Sequence, residues 1–203
     1  MRTLFLLLIC MTTFIGNAQS KKEKKEKYVS FAFLTAQTAM PFNKFSALFS
    51  NPYHPGAEMA LGKVLSNKEL HQWFAEIKLA YFYHRFVQHV IPLYANIGYR
   101  HKVVSHLFAN LSLGAGYLHS IPAVSKFKLN NDGDYDNNIG IGRAQATIVF
   151  SAGLQYNIVS DKKKPLRVFV NYQQLLQMPF INAYVPLLPY NSLQAGVSWP
   201  FKK

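Results

Sequence analysis

Apolar and polar positions alternate with period two along most of the chain. This is the signature of β-strands, which turn successive side chains to opposite faces of a sheet. In residues 144–158, AQATIVFSAGLQYNI, one face carries Ala146, Ile148, Phe150, Ala152, Leu154, Tyr156 and Ile158. The other carries Gln145, Thr147, Ser151, Gly153, Gln155 and Asn157, with Val149 the exception. Residues 106–118 set Leu107, Ala109, Leu111, Leu113, Ala115 and Tyr117 against His106, Asn110, Ser112, Gly114 and Gly116. The alternation recurs in 71–84, 90–100 and 191–201 and, more weakly, in 28–37, 56–65 and 166–177. No helical pattern competes over a comparable length. The chain is predicted to form eight strands.

Alternation alone does not say which face is inside. A soluble barrel turns its apolar face inward; a membrane barrel turns it outward. Three features favour the membrane. The polar face holds mostly Gly, Ser, Asn, Gln and Ala, with few charges, whereas a soluble exterior is rich in Lys and Glu. Such a face suits a narrow, filled interior. The connections also alternate in length: 38–55, 119–143 and 178–190 are long, and 66–70, 101–105 and 159–165 are short, with 85–89 breaking the contrast. Outer-membrane barrels have long loops outside and short turns in the periplasm. Finally, with the first strand running outward, Trp73, Tyr99, Tyr156 and Trp199 fall at the periplasmic ends of the apolar face. Tyr81, Tyr83 and Tyr117 fall at its outer ends. These are two interfacial girdles. The fold class expected is all-β, an eight-stranded antiparallel transmembrane β-barrel over 28–203.

In this architecture the chain resembles the small outer-membrane barrels of the OmpA/OmpX type. Its last strand, LQAGVSWPFKK, resembles the aromatic-ended final strand that such proteins present to the outer-membrane assembly machinery. Here Phe201 is followed by two lysines. The resemblance implies residence in the cell outer membrane of a Gram-negative organism. It also implies contact with membrane lipids and lipopolysaccharide.

The start of the chain agrees with that address. MRTLFLLLICMTTFIGNAQS has a basic Arg2, an apolar stretch from Leu4 to Ile15, and small residues at Gly16 and Ala18. It reads as a secretory signal, residues 1–18, cut after Ala18. The only cysteine, Cys10, lies within it, so no disulfide or thiolate metal site is expected in the mature chain. Residues 19–27 contain KKEKKEK and read as a solvated periplasmic segment. The formal charge is +13. With an export signal this points to anionic headgroups rather than nucleic acid. Its lysines fall largely on the periplasmic side.

The polar face carries five charges: Glu58, Glu76, Lys78, Arg100 and Arg167. Inside a narrow barrel they require partners. A turn centred near Asn67–Lys68 sets Glu58 across from Lys78, and Glu76 one diagonal step from Arg100. The set reads as a structural charge network, and the same residues would serve a gate or proton path. The membrane-interface aromatics are Trp73, Tyr81, Tyr83, Tyr99, Tyr117, Tyr156, Trp199 and Phe201. Asp132, Asp134 and Asp136 in NNDGDYDNN resemble a calcium loop but lack its glycine and its bidentate glutamate. His54, His84, His89 and His119 map to the outer rim without metal-ligand spacing. His119-Ser120 is a candidate hydrolytic pair, but adjacent strand residues face opposite ways. No motif calls for a cofactor, a metal or a catalytic centre. The favoured function is a non-enzymatic structural or surface-interaction barrel with a side-chain-filled lumen. The alternatives are a lipid A or phospholipid modifying enzyme on the same barrel, or a narrow, porin-like pore.

Overall fold

The computed structural model of the chain describes residues 26–40, 45–49, 52–124, 127–130, 132–137, 140–158, 166–181 and 184–200. Residues 1–18, read above as a secretory signal, Phe201 and the lysines at 162–164 and 202–203 lie outside the described residues. Eight long strands form the wall: β1 (Lys27–Thr38), β2 (Pro55–Asn67), β3 (His71–His84), β4 (Gln88–Lys102), β5 (Leu107–Pro122), β8 (Arg143–Ile158), β9 (Leu166–Met178) and β10 (Leu188–Pro200). Two short strands, β6 (Phe127–Leu129) and β7 (Tyr135–Asn137), form a hairpin within the β5–β8 connection. At three residues each they are too short for periodicity to reveal. A 3₁₀ turn, Phe45–Phe49, follows β1.

Every wall strand pairs antiparallel with its neighbours, and β1 pairs with β10, so the sheet closes on itself. One circuit from Tyr28 runs through Gly62, Glu76, Asn96, Gly114, Val149, Leu175 and Tyr190 and returns to β1 at Thr38. This stagger of about ten residues tilts the strands, in the range of roughly 35–45° found in such barrels.

The apolar face is outside. Phe33, Met59, Leu61, Ile77, Leu79, Leu113 and Leu154 are each more than half exposed, on five different strands. A contiguous apolar exterior on this scale has no place in water, and a closed ladder leaves no unpaired edge to lipid. The chain is a transmembrane β-barrel.

The strands outrun their alternating stretches at one end. β4 begins at Gln88, β5 continues to Pro122, and β10 begins at Leu188. These extensions, with the longer connections between them, form what is here called the loop end. The sequence alternation fades there although the hydrogen-bond ladder continues, and the inward side chains Gln88, Ser120 and Leu188 stay buried. The opposite, turn end holds short connections, including a two-residue turn between Lys68 and His71, which exchange backbone hydrogen bonds; the tight β3–β4 turn over 85–87 is the exception at the loop end.

Candidate functional site: the lumen and its two mouths

Midway along the lumen, Lys78 sits between two carboxylates. Its Nζ lies 2.8 Å from Glu58 Oε1 and 3.5 Å from Glu76 Oε2. The other carboxylate positions are taken by neutral donors. Tyr94 and Gln194 donate to Glu58 Oε2 at 2.5 and 3.1 Å. Tyr28 donates to Glu76 Oε1 at 2.8 Å, and Asn96 to Oε2 at 3.3 Å. Donors from four strands therefore converge on two buried acids. This is the condition under which buried charge is tolerated.

The register differs from that drawn from the sequence. Glu58 faces Ala80, and Lys78 faces Ala60. The cause is the turn, which is centred on Glu69–Leu70; a β-bulge between Val64 and Ser66 inserts one residue into β2 and takes back one residue of that shift. Lys78 reaches Glu58 diagonally, through its long side chain. Glu76 faces Asn96 and Arg100 faces Gln72, so these two charges are not one diagonal step apart.

Arg100 and Arg167 lie at the turn-end mouth, both nearly fully buried. Arg100 donates to Gln72 Oε1 at 3.2 Å and stacks over Phe74 at 4.7 Å. The Tyr28 ring lies within 6.0 Å of both guanidiniums. Gly98 gives Phe74 its place: a methyl there would lie 2.1 Å from the ring. Arg167 pairs with Glu26. The sequence placed Glu26 in a solvated charge run; instead its carbonyl accepts a ladder bond from Val64, and Lys27 opens β1. The signal was a strand phase that extends one step upstream of Tyr28. A cavity of about 30 Å³ remains beside these residues, lined chiefly by Ser, Asn, Gln and the charges themselves.

The loop-end half is different. Leu34, Phe82, Val90, Leu118, Leu175 and Tyr190 fill it as one apolar cluster. Above them Gln88 donates to Tyr190, and Ser120 and Gln177 both donate to Gln145 Oε1 at 2.6 and 2.7 Å. Ser120 is thus committed inside the lumen, while His119 faces out, against Tyr117 and the Ile141 carbonyl. The two do not form a nucleophile–base pair.

Of the four rim histidines, only His54 and His84 meet, as a parallel stack with centroids 3.7 Å apart. His84 also contacts the Thr38 hydroxyl at 2.9 Å. His54 lies before β2, and burial pushes its imidazole pKa below the usual range. His89 instead meets Tyr81 at 2.9 Å. Girdle tyrosines recur beside histidines: Tyr81 with His89, Tyr117 with His119, Tyr99 with His71, and Tyr156 with His106. Spacing in sequence could not show most of these pairs, because they cross strands.

The girdle aromatics Trp73, Tyr81, Tyr117, Tyr156 and Trp199 are outward and 42–48% exposed, and Tyr83 and Tyr99 are outward and less exposed. Phe201 falls outside the described residues. Asp132 and Asp134 lie at the tip of the β6–β7 hairpin, where Asn130 Oδ1 accepts both their backbone N–H groups. The Asp136 side chain is outside the description. Among the described residues no three His, Cys, Asp or Glu side chains group as a metal cage.

No protein-family model and no curated protein matches the chain. Solved structures do resemble it. Neisserial surface protein A is 10% identical with a TM-score of 0.54, covering 88% of this chain and 98% of that one. Ail, the attachment invasion locus protein of Yersinia pestis, is 11% identical with a TM-score of 0.50, covering 88% and 100%. At such identities the likeness is one of fold: a small eight-stranded barrel of the outer-membrane kind.

Proposed function

We propose that the protein is a non-enzymatic barrel of the outer membrane whose work is done at its surface and not through its lumen. The observation that carries this reading is the filled interior. An apolar plug, an amide layer and a charge cluster with a cavity of about 30 Å³ leave no continuous aqueous path. Eight strands leave an interior just wide enough for side chains. The turn end faces the periplasm and the loop end the exterior, following the asymmetry of connections in such barrels. Export would use residues 1–18, and assembly would use β10. The girdles contact lipid headgroups and, on the outer side, lipopolysaccharide. Ail is by its name an attachment protein, which supports the compatibility of this architecture with surface interaction.

The test combines two measurements on the whole protein. In planar bilayers it should give no large, steady conductance. Membranes with and without it should have the same lipid A and phospholipid acyl profiles. Stable porin-sized conductance overturns the plug, and an altered acyl pattern moves the function to lipid modification.

A further inference from the structure

At the turn end of β3 and β4, on the outer face of the wall, three heteroatoms converge. His71 and His101 are direct cross-strand partners. Their Nδ1 atoms lie 3.3 Å apart and their ring centroids 5.0 Å apart. Tyr99, two residues before His101 on the same face of β4, places its hydroxyl against the same His71 Nδ1. A single Nδ1 cannot satisfy two such partners with one proton. A shared cation satisfies all three at once.

The nitrogen–nitrogen spacing fits one, and the Tyr99 hydroxyl joins it by swinging away from His71 Nδ1 to a like distance. Two nitrogens bound at about 2.0–2.1 Å to a tetrahedral ion stand about 3.3 Å apart. We propose that His71, His101 and Tyr99 form a site for a borderline divalent transition metal of the zinc or copper class. Imidazole suits such ions. The phenol oxygen supplies a third ligand, and the exposed position of His71 leaves the fourth to water. The ladder holds both imidazoles in register without any loop having to order. The surrounding basic residues oppose a dication, so binding in the micromolar range is expected. The inference is independent of the surface function proposed above, because it rests on the outer wall and not on the lumen.

Trp73 provides the readout, since its ring lies 5.3 Å from that of Tyr99. Untagged, refolded protein carrying W199F reports from Trp73 alone, as the chain has two tryptophans. Titration with Cu²⁺ should quench that fluorescence saturably at one equivalent, and Zn²⁺ should reverse it by competition. H71Q or H101Q in the same background should weaken binding at least tenfold, and Y99F several-fold. Heat-modifiable gel mobility should stay unchanged in each, because these side chains lie outside the packed lumen. Electron paramagnetic resonance of the Cu²⁺-loaded wild type should show two coupled nitrogens, a readout that needs no variant. Quenching that saturates only at millimolar Cu²⁺, or that is unchanged in either histidine variant or in Y99F, overturns the site. So does a spectrum lacking two nitrogen ligands.

Discussion

At the loop end the lumen is filled by Leu34, Phe82, Val90, Leu118 and Leu175, whereas at the middle and turn end it is filled by Glu58, Glu76, Lys78, Arg100 and Arg167 with their donors. Both halves are filled by side chains, but by different physics. The apolar half is a sum of contacts, so each side chain contributes by the volume it fills. The charged half is a set of shared pairings around Lys78, so each member there holds others in place. Removing one partner there leaves uncompensated charge, and the loss exceeds what the missing contacts alone would cost. The two halves should therefore answer differently to single and compound substitutions.

The largest effect is expected at Lys78. Lys78→Met leaves two buried carboxylates without their shared cation, at a cost of roughly 3–5 kcal/mol. Because Lys78 bridges both acids, E58Q/K78M should recover only part of that loss, and E58Q/E76Q/K78M most of it. Urea unfolding in lipid vesicles measures the series. Full recovery in the double variant would show that Glu76 is no partner of Lys78. The next residue provides the contrast: Leu79 is half exposed on the lipid side. Leu79→Lys should cost roughly 2–4 kcal/mol near the bilayer midplane, and no change at Glu58 should rescue it.

The eight wall strands and the assignment of their faces were legible in the sequence because both follow from period two. Contacts were legible only where a long side chain tolerates error. Lys78 and Glu58 meet although the pairing drawn for them is off by two residues, since a lysine spans that diagonal. Arg100 and Glu76 show the opposite case, because their intended pairing depended on register alone. The slip arises in the turn, centred on Glu69–Leu70, and the bulge at Leu65 that offsets part of it carries no glycine or proline to mark it. Glu26 was hidden by the lysines around it, and its partner Arg167 lies 141 residues away. The His71–His101 pair was equally out of reach, since it exists only once β3 and β4 are aligned.

The apolar half should give a smaller and simpler response. Leu175 is 2% exposed within the cluster. Leu175→Ala should cost roughly 2–4 kcal/mol through lost burial and the void left behind. Leu175→Met, which nearly conserves volume, should cost less than about 1.5 kcal/mol. No substitution of a neighbouring apolar residue should restore the alanine variant by removing a partner, as happens around Lys78. A compensating pair in this half would mean that its packing is as interdependent as the charge cluster, and the contrast between the halves would fail.

The smallest effect belongs to the loop-end rim, where the stacked imidazoles of His54 and His84 sit above the apolar plug. A proton on His54 would place a cation in a buried stack, which is why burial lowers its pKa. In the unfolded chain the same imidazole takes up a proton near about pH 6.5. Between the folded and unfolded values the unfolded state binds more protons, so stability rises with pH there. The His54 contribution is therefore intact above about pH 6.5 and declines as the pH falls below it, until the folded pKa is passed. His54→Phe keeps a ring in the stack but cannot titrate. Urea midpoints measured in vesicles from pH 7.5 to pH 5 should fall further for the wild type than for His54→Phe, by less than either packing substitution produces at neutral pH. The residual slope of the variant reports the other histidines. Parallel profiles would mean that His54 accepts its proton as readily folded as unfolded, and that the rim is open to water where the plug beneath it is not.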